Sequence, residues 1–235
     1  MTRNKGKNSL KVLLFDIDGT LILSGGAGLR AMNAAFEQMY GVRDGLVNVQ
    51  LAGRTDTSII KEALSANGIR CESNQLEGYK EVYYRLLVDE MATPGNSKYL
   101  MPGVENLIDE LKNRKDIYLG LLTGNWEKSG RIKLRHFGLD ASFSFGAFAE
   151  DSEYRDRLLP FALSRFEQKY GKRPQPDQVY VIGDTPSDIL CAKPHNAKSV
   201  AVAAAHYSEE ELASYQPDIL FKDLSDTDAV LEAIG

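Results

Sequence analysis

The chain reads as an α/β protein, a parallel sheet interrupted near its start by an inserted block of helices. Three observations carry that reading. Apolar runs at 12–15, 118–122 and 179–182 have the pattern of buried strands, and each ends directly in small polar or acidic residues. From residue 98 onward, helical periodicity alternates with strand patterns, which implies right-handed crossovers and a parallel sheet covered on both faces. Residues 24–94 instead carry three helical stripes and no convincing strand, so they stand outside that alternation.

The elements follow in order. Val12-Leu13-Leu14-Phe15 is the first strand, followed by Asp16-Ile17-Asp18-Gly19-Thr20 and then Leu21-Ile22-Leu23. Leu29, Met32, Phe36 and Met39 recur at helical spacing. Ile59, Ile60, Ala63 and Leu64 do the same and end at Asn67-Gly68, a C-cap pair. Leu76, Tyr79, Tyr83, Leu86, Leu87 and Glu90 mark a third helix. Ser24-Gly25-Gly26-Ala27-Gly28 and Thr93-Pro94-Gly95-Asn96-Ser97 flank the block as small, turn-rich hinges. The expected division is a core of residues 1–23 and 97–235 with a helical insert of 24–96. In the core, Val104, Leu107, Ile108 and Leu111 mark a helix before the 118–122 strand. A strand is expected at 143–148, and a helix on Leu158, Leu159, Ala162, Leu163 and Phe166. Strands at 179–182, 199–203 and 219–221 complete the sheet.

Composition narrows the function classes. With 235 residues, 43% of them hydrophobic, the chain can bury a sizeable core in one domain plus an insert. A formal net charge of −5 and a pI near 5.4 disfavour nucleic acid or an anionic membrane as the main partner. No apolar run approaches the ~20 residues of a membrane span. Residues 1–9 are polar and basic, and Asp16 interrupts any signal-peptide core. Cys71 and Cys191 fall in different regions and read as reduced thiols, as in a cytoplasmic protein. A monomer or weak homodimer is expected.

The chemistry-bearing residues sit at strand ends. Asp16 and Asp18, at i and i+2, share one face, because strand side chains alternate. Such a pair can hold a hard divalent cation or divide a reaction between nucleophile and acid. Gly19 lets the chain turn and brings backbone N–H groups toward a ligand. Thr123-Gly124-Asn125 follows the second strand, and Gly183-Asp184-Thr185-Pro186-Ser187-Asp188 follows the third. Ligands bind at that edge of an open parallel sheet. Four carboxylates and a hydroxyl brought together there need a cation to coexist at neutral pH.

Asp16-x-Asp18-Gly19-Thr20-Leu21, Thr123 and Gly183-Asp184-x-x-x-Asp188 resemble motifs I, II and IV of the haloacid dehalogenase-like hydrolase superfamily. The branch it looks most like contains phosphoglycolate phosphatase and beta-phosphoglucomutase, with a helical cap inserted after motif I. The resemblance implies a Rossmann-like core and a Mg²⁺-dependent phosphatase acting on a small phosphorylated metabolite. A sugar-phosphate mutase is the alternative. Asp16 would be the nucleophile and Asp18 the general acid and base. Thr123, Gly19, Gly124 and Asn125 would bind the phosphoryl group. Asp16, the backbone carbonyl of Asp18 and Asp184 would hold Mg²⁺, with Asp188 as a further ligand or as an acceptor orienting the others.

Motif III departs from the family, which usually has a Lys there. Arg155 or Arg157 would supply the cation, and Arg155 is favoured because it lies nearer the loop after 143–148. Leu51-Ala52-Gly53-Arg54-Thr55-Asp56 resembles the cap loop that meets substrate. Arg54 could therefore bind a carboxylate or second phosphate, and Thr55 or Asp56 could be an N-cap. Trp126 and Lys128 could face the cleft, whereas His136, His195 and His206 carry no assigned role.

Overall fold

The computed structural model describes residues 10–70, 73–94 and 97–235. In chain order it contains β1 (Lys11–Phe15), β2 (Ile22–Leu23), α1 (Ala27–Tyr40), α2 (Asp56–Ala66), α3 (Ser73–Ala92) and β3 (Tyr99–Leu100). Then come α4 (Val104–Lys112), β4 (Ile117–Leu122), α5 (Glu127–His136), β5 (Gly146–Ala147) and α6 (Leu159–Tyr170). β6 (Val179–Gly183), α7 (Pro186–Ala192), β7 (Lys198–Val202), α8 (Glu209–Ser214), β8 (Ile219–Phe221) and α9 (Thr227–Ile234) complete it.

The main sheet is parallel with strand order β5-β4-β1-β6-β7-β8, a Rossmann-like core. β1 is central because all five of its residues are buried and can face packing on both sides. Leu13 and Phe15 point into one apolar layer with α4 and α9, while Val12 and Leu14 point into the other with α6. Phe15 pairs with Leu121 on one side and Ile182 on the other. That register puts the segments beginning at Asp16, Thr123 and Gly183 along one edge.

Helices α1–α3 lie between β2 and β3, which pair with each other as a short antiparallel ribbon. The helices bury their own cluster, centred on Phe36, Ile60, Tyr79, Tyr83 and Leu87. Trp126 and Ala149 of the core join that cluster. Trp126 is fully buried against Tyr79, Tyr83 and Tyr84, with ring centroids 6.2, 5.8 and 6.3 Å away. It therefore docks the cap and does not face the cleft, because an indole removes more apolar surface there than at a solvated mouth. Lys128 pairs with exposed Glu81 and sits over the Tyr84 ring, away from the cleft.

Three expectations change in detail. Leu29 and Met39 are 38% and 37% exposed, and Ala31 and Ala35 take the buried face of α1 in their place. The strand expected at 143–148 shrinks to Gly146–Ala147. It is an edge strand whose Phe143, Phe145 and Phe148 are fixed by packing, and Arg165 takes the Gly146 carbonyl at 2.8 Å. The short strand β3 appears because β2 needs a partner. Cys191 is a buried free thiol that burial pushes up to about 11; Cys71 lies outside the described residues. No helix among the described residues is long and apolar enough to cross a membrane.

Candidate active site

The loop after β1 is built around close approach. The Asp16 amide donates to the Ile182 carbonyl at 2.9 Å, which places its carboxyl over the sheet edge. Gly19 has φ +85°, and a Cβ there would lie 2.3 Å from Asp184 Oδ2, so only glycine lets this loop close on the segment after β6. Thr20 then donates to Asp184 Oδ1 at 3.0 Å.

Arg155 lies between the acids. Its Nη2 is 3.0 Å from Asp16 Oδ1, pairs with Asp188 Oδ1 and is 3.4 Å from the Leu122 carbonyl. Its Nε is buried with no hydrogen-bond partner among the described residues. Arg157, two residues on, is exposed and stacks over the Tyr154 ring. The 3₁₀ turn Arg155–Arg157 thus turns one cation inward and one out. Burial pushes Asp16 up to about 6; Arg155 opposes the shift, while Asp188 and Asp18 add to it.

Asp184 is fully buried, and burial raises its pKa, with Asp16 adding to the effect. Asp188 accepts from the Thr185 amide at 3.1 Å and from Thr185 Oγ1 at 2.7 Å, closing a capping box at the start of α7. Both of its oxygens are thus in use, one by Thr185 and one by Arg155. Ligand atoms of Asp16, Asp184 and Asp188 lie within 4.8 Å of one another, all three residues buried. An all-oxygen set of this kind suits a hard divalent cation.

Asp18 is held separately. Its Oδ2 accepts from Lys133 Nζ at 2.6 Å and Asn125 Nδ2 at 2.9 Å, and its Oδ1 from Ser24 at 3.4 Å. Lys133 also donates to Asn125 Oδ1 at 2.6 Å. Burial would raise the Asp18 pKa, but Lys133 and these hydrogen bonds hold it below the usual carboxylate range. Thr123 is fully buried, and its hydroxyl oxygen accepts from Asn125 Nδ2 at 2.9 Å.

Asp16, Asp18, Asn125, Lys133 and Arg155 line a cavity of about 230 Å³ that is also lined by residues of α1 and α2. The sequence pattern of the haloacid dehalogenase-like hydrolases matches residues 13–202. The chain belongs to that family. Across the curated relatives, the chain is 24% identical to the pyrophosphatase PpaX of Anoxybacillus flavithermus, over 95% of this chain and 97% of that one. It is 26% identical to the phosphoglycolate phosphatase of Aliivibrio fischeri, over 90% and 92% respectively. It shares its fold with CbbY from Rhodobacter sphaeroides, solved in complex with phosphate, at a TM-score of 0.70 and 21% identity, over 92% and 96% of the two chains.

Within this hydrolase, the cap loop rests on the second motif. A Cβ on Gly124 would lie 1.9 Å from the Arg54 carbonyl, and the Asp56 amide donates to the Gly124 carbonyl at 2.6 Å. Arg54 borders the cavity, and its guanidinium is taken up by its own neighbours. It pairs with Glu62 and donates to the Ser58 and Gln50 carbonyls at 3.2 and 3.4 Å. Thr55 is the N-cap of α2, accepting from the Ser58 amide. Asp56 instead reaches into the core, accepting from the Trp126 amide at 2.9 Å and Ser129 Oγ at 3.1 Å. Its burial pushes it up to about 7.

Two site residues escape the sequence reading. Lys133 is 5% exposed and lies one turn beyond Ser129 on the buried face of α5; a lysine on an inward helical face was its one signal. His206 follows β7 by four residues and brings Nδ1 to 3.3 Å from Asp184 Oδ2, a contact that raises its pKa. Its signal was position at the same sheet edge as the three motifs.

Proposed function

We propose that the protein is a Mg²⁺-dependent phosphatase that hydrolyses a small phosphorylated metabolite through an aspartyl phosphate on Asp16. The observation that carries this is the division of labour between the two carboxylates of one loop. Asp16 is bound to Arg155 beside Asp184 and Asp188, while Asp18 is bound to Lys133 and Asn125. One carboxylate is set beside a cation and beside two acids with which it could hold a metal, the other among groups that tune a proton carrier.

In this reading Asp16 attacks phosphorus and the alcohol oxygen departs with a proton from Asp18. Asp18 then takes a proton from the water that opens the aspartyl phosphate. Lys133 favours the ionised form of Asp18 that the second step requires. The charge of an entering phosphate favours the protonated form that the first step requires. Arg155, with its unpartnered Nε, and the Thr123 hydroxyl would bind phosphoryl oxygens, helped by Gly124 and Asn125. Mg²⁺ would be held by Asp16, Asp184 and the Asp18 carbonyl, and would supply positive charge against the phosphoryl oxygens. Asp188, engaged by Arg155 and Thr185, would orient the others. We take 24–96 as the cap and 1–23 with 97–235 as the core, so that the cap excludes bulk water.

The test is phosphate release from small phosphoesters with Mg²⁺, by wild type and Asp16→Asn. An amide has nearly the shape of a carboxylate and is a poor nucleophile. Turnover should vanish while the far-ultraviolet circular dichroism stays unchanged. An active Asp16→Asn protein would sink the covalent route.

A further inference from the structure

All substrates of such a site share the phosphoryl group, so selection rests on the wall that meets the leaving group. That wall comes largely from the cap loop and α1–α2, and its side chains include Leu29, Met32, Leu51 and Ile59. Tyr83 adds one uncharged hydroxyl. Four basic side chains also border the cavity, and each is engaged. Arg155 is on Asp16 and Asp188, Lys133 on Asp18 and Asn125, and His206 on Asp184. Arg54, the one that belongs to the cap, is tied to Glu62 and two carbonyls. Asp16, Asp18 and Asp56 face the same space.

We propose that this pocket selects phosphomonoesters of small uncharged alcohols, and that the Arg54–Glu62 pair is what withholds a cation from the leaving group. The inference rests on the phosphatase reading above. A carboxylate or second phosphate on the leaving group would lose its hydration among carboxylates, with no unengaged cation among the described residues to receive it. An uncharged carbon chain buries against the apolar wall instead. The volume, about 230 Å³ for phosphoryl and leaving group together, is below the ~300–1,000 Å³ usual for ligand pockets, which limits the alcohol to a few carbons. Glu62 is half exposed and holds no other part of the site, so removing it frees Arg54 without disturbing the core.

The experiment compares 2-hydroxyethyl phosphate with 2-phosphoglycolate, a pair that differs in replacing an alcohol carbon by a carboxylate. Both are assayed with Mg²⁺ on wild type and Glu62→Ala, with p-nitrophenyl phosphate as an undemanding reference. Wild type should favour 2-hydroxyethyl phosphate at least tenfold in kcat/KM. Glu62→Ala should narrow that ratio by raising kcat/KM for 2-phosphoglycolate, with the 2-hydroxyethyl phosphate value unchanged. Equal or better use of 2-phosphoglycolate by wild type overturns the proposal. A ratio unchanged in Glu62→Ala overturns the role given to the pair. If p-nitrophenyl phosphate is hydrolysed and the preference fails, only the selectivity is wrong. If none of the three is hydrolysed, the phosphatase reading falls and takes the selectivity with it.

Discussion

On the proposed route, Lys133 is the side chain on which the proton chemistry turns. It is the sole cation paired with Asp18 among the described residues, at 2.6 Å, and Asn125 fixes both partners. Removing it leaves only the Asn125 and Ser24 hydrogen bonds to oppose the burial of Asp18, so the Asp18 pKa should rise. Lys133→Met, close in shape, should lower kcat on the order of 10²-fold, the lower end of general acid–base effects. The loss should be larger in steady state than in the first phosphoryl transfer, because ionised Asp18 serves the water step. Rapid-quench measurement of both steps checks this, and an unchanged kcat would remove Lys133 from the mechanism. Arg155 plays the matching part for Asp16. One nitrogen of its guanidinium, Nη2, meets both Asp16 and Asp188, while its buried Nε has no partner among the described residues.

At the scale of elements, the junction of α2 with the start of α5 holds the cap down. Asp56 projects from the first turn of α2 to the Trp126 amide, and Trp126 Nε1 donates to Thr57 Oγ1 at 2.9 Å. Thr57 in turn donates to the Ala149 carbonyl at 2.8 Å. The junction is sensitive to pH. Asp56 is raised to about 7 in the folded protein and titrates near 3.8 when unfolded. Between those values the folded state keeps a proton that the unfolded state has released. Its contribution is therefore fully present below about pH 4 and is lost as pH rises through about 7. Asp56→Asn retains an acceptor for the Trp126 amide and does not titrate. The Tm of the variant minus that of wild type should therefore grow as pH rises from about 4 to about 8. A difference that stays flat over that range would show that Asp56 is not held in this environment.

For the whole molecule, the main tension is charge. Asp16, Asp18, Asp184 and Asp188 converge on one sheet edge against Arg155 and Lys133. A divalent cation that binds only the folded chain relieves this and stabilises it by mass action. Mg²⁺ should raise the Tm over that in excess chelator, and Asp184→Asn should abolish most of the rise. Ca²⁺ should support turnover poorly, since it is larger and accepts looser coordination. Full turnover in excess chelator would contradict the proposed metal site.

Much of this was legible in the sequence, because the signals are local. Buried strands announce themselves as apolar runs, and the acidic and small residues directly after them must emerge at one sheet edge once the strands are parallel. That places Asp16, Asp18, Thr123, Asp184 and Asp188 without knowledge of any contact. Helical stripes likewise mark the cap, since three amphipathic helices with no strand between them have to bury their faces on each other. Tertiary structure alone decided which charges meet. Lys133 reaches Asp18 across 115 positions and Asp56 reaches Trp126 across 70, distances over which periodicity carries no information. Arg155 turns inward and Arg157 outward because of one 3₁₀ turn, and Arg54 faces Glu62 because a nearby carboxylate and two carbonyls outcompete an open cleft. Local pattern determines where backbone goes; the pairing of charges is set by which side chains the finished fold brings within a few ångströms, because screening in water erases their interaction at longer range.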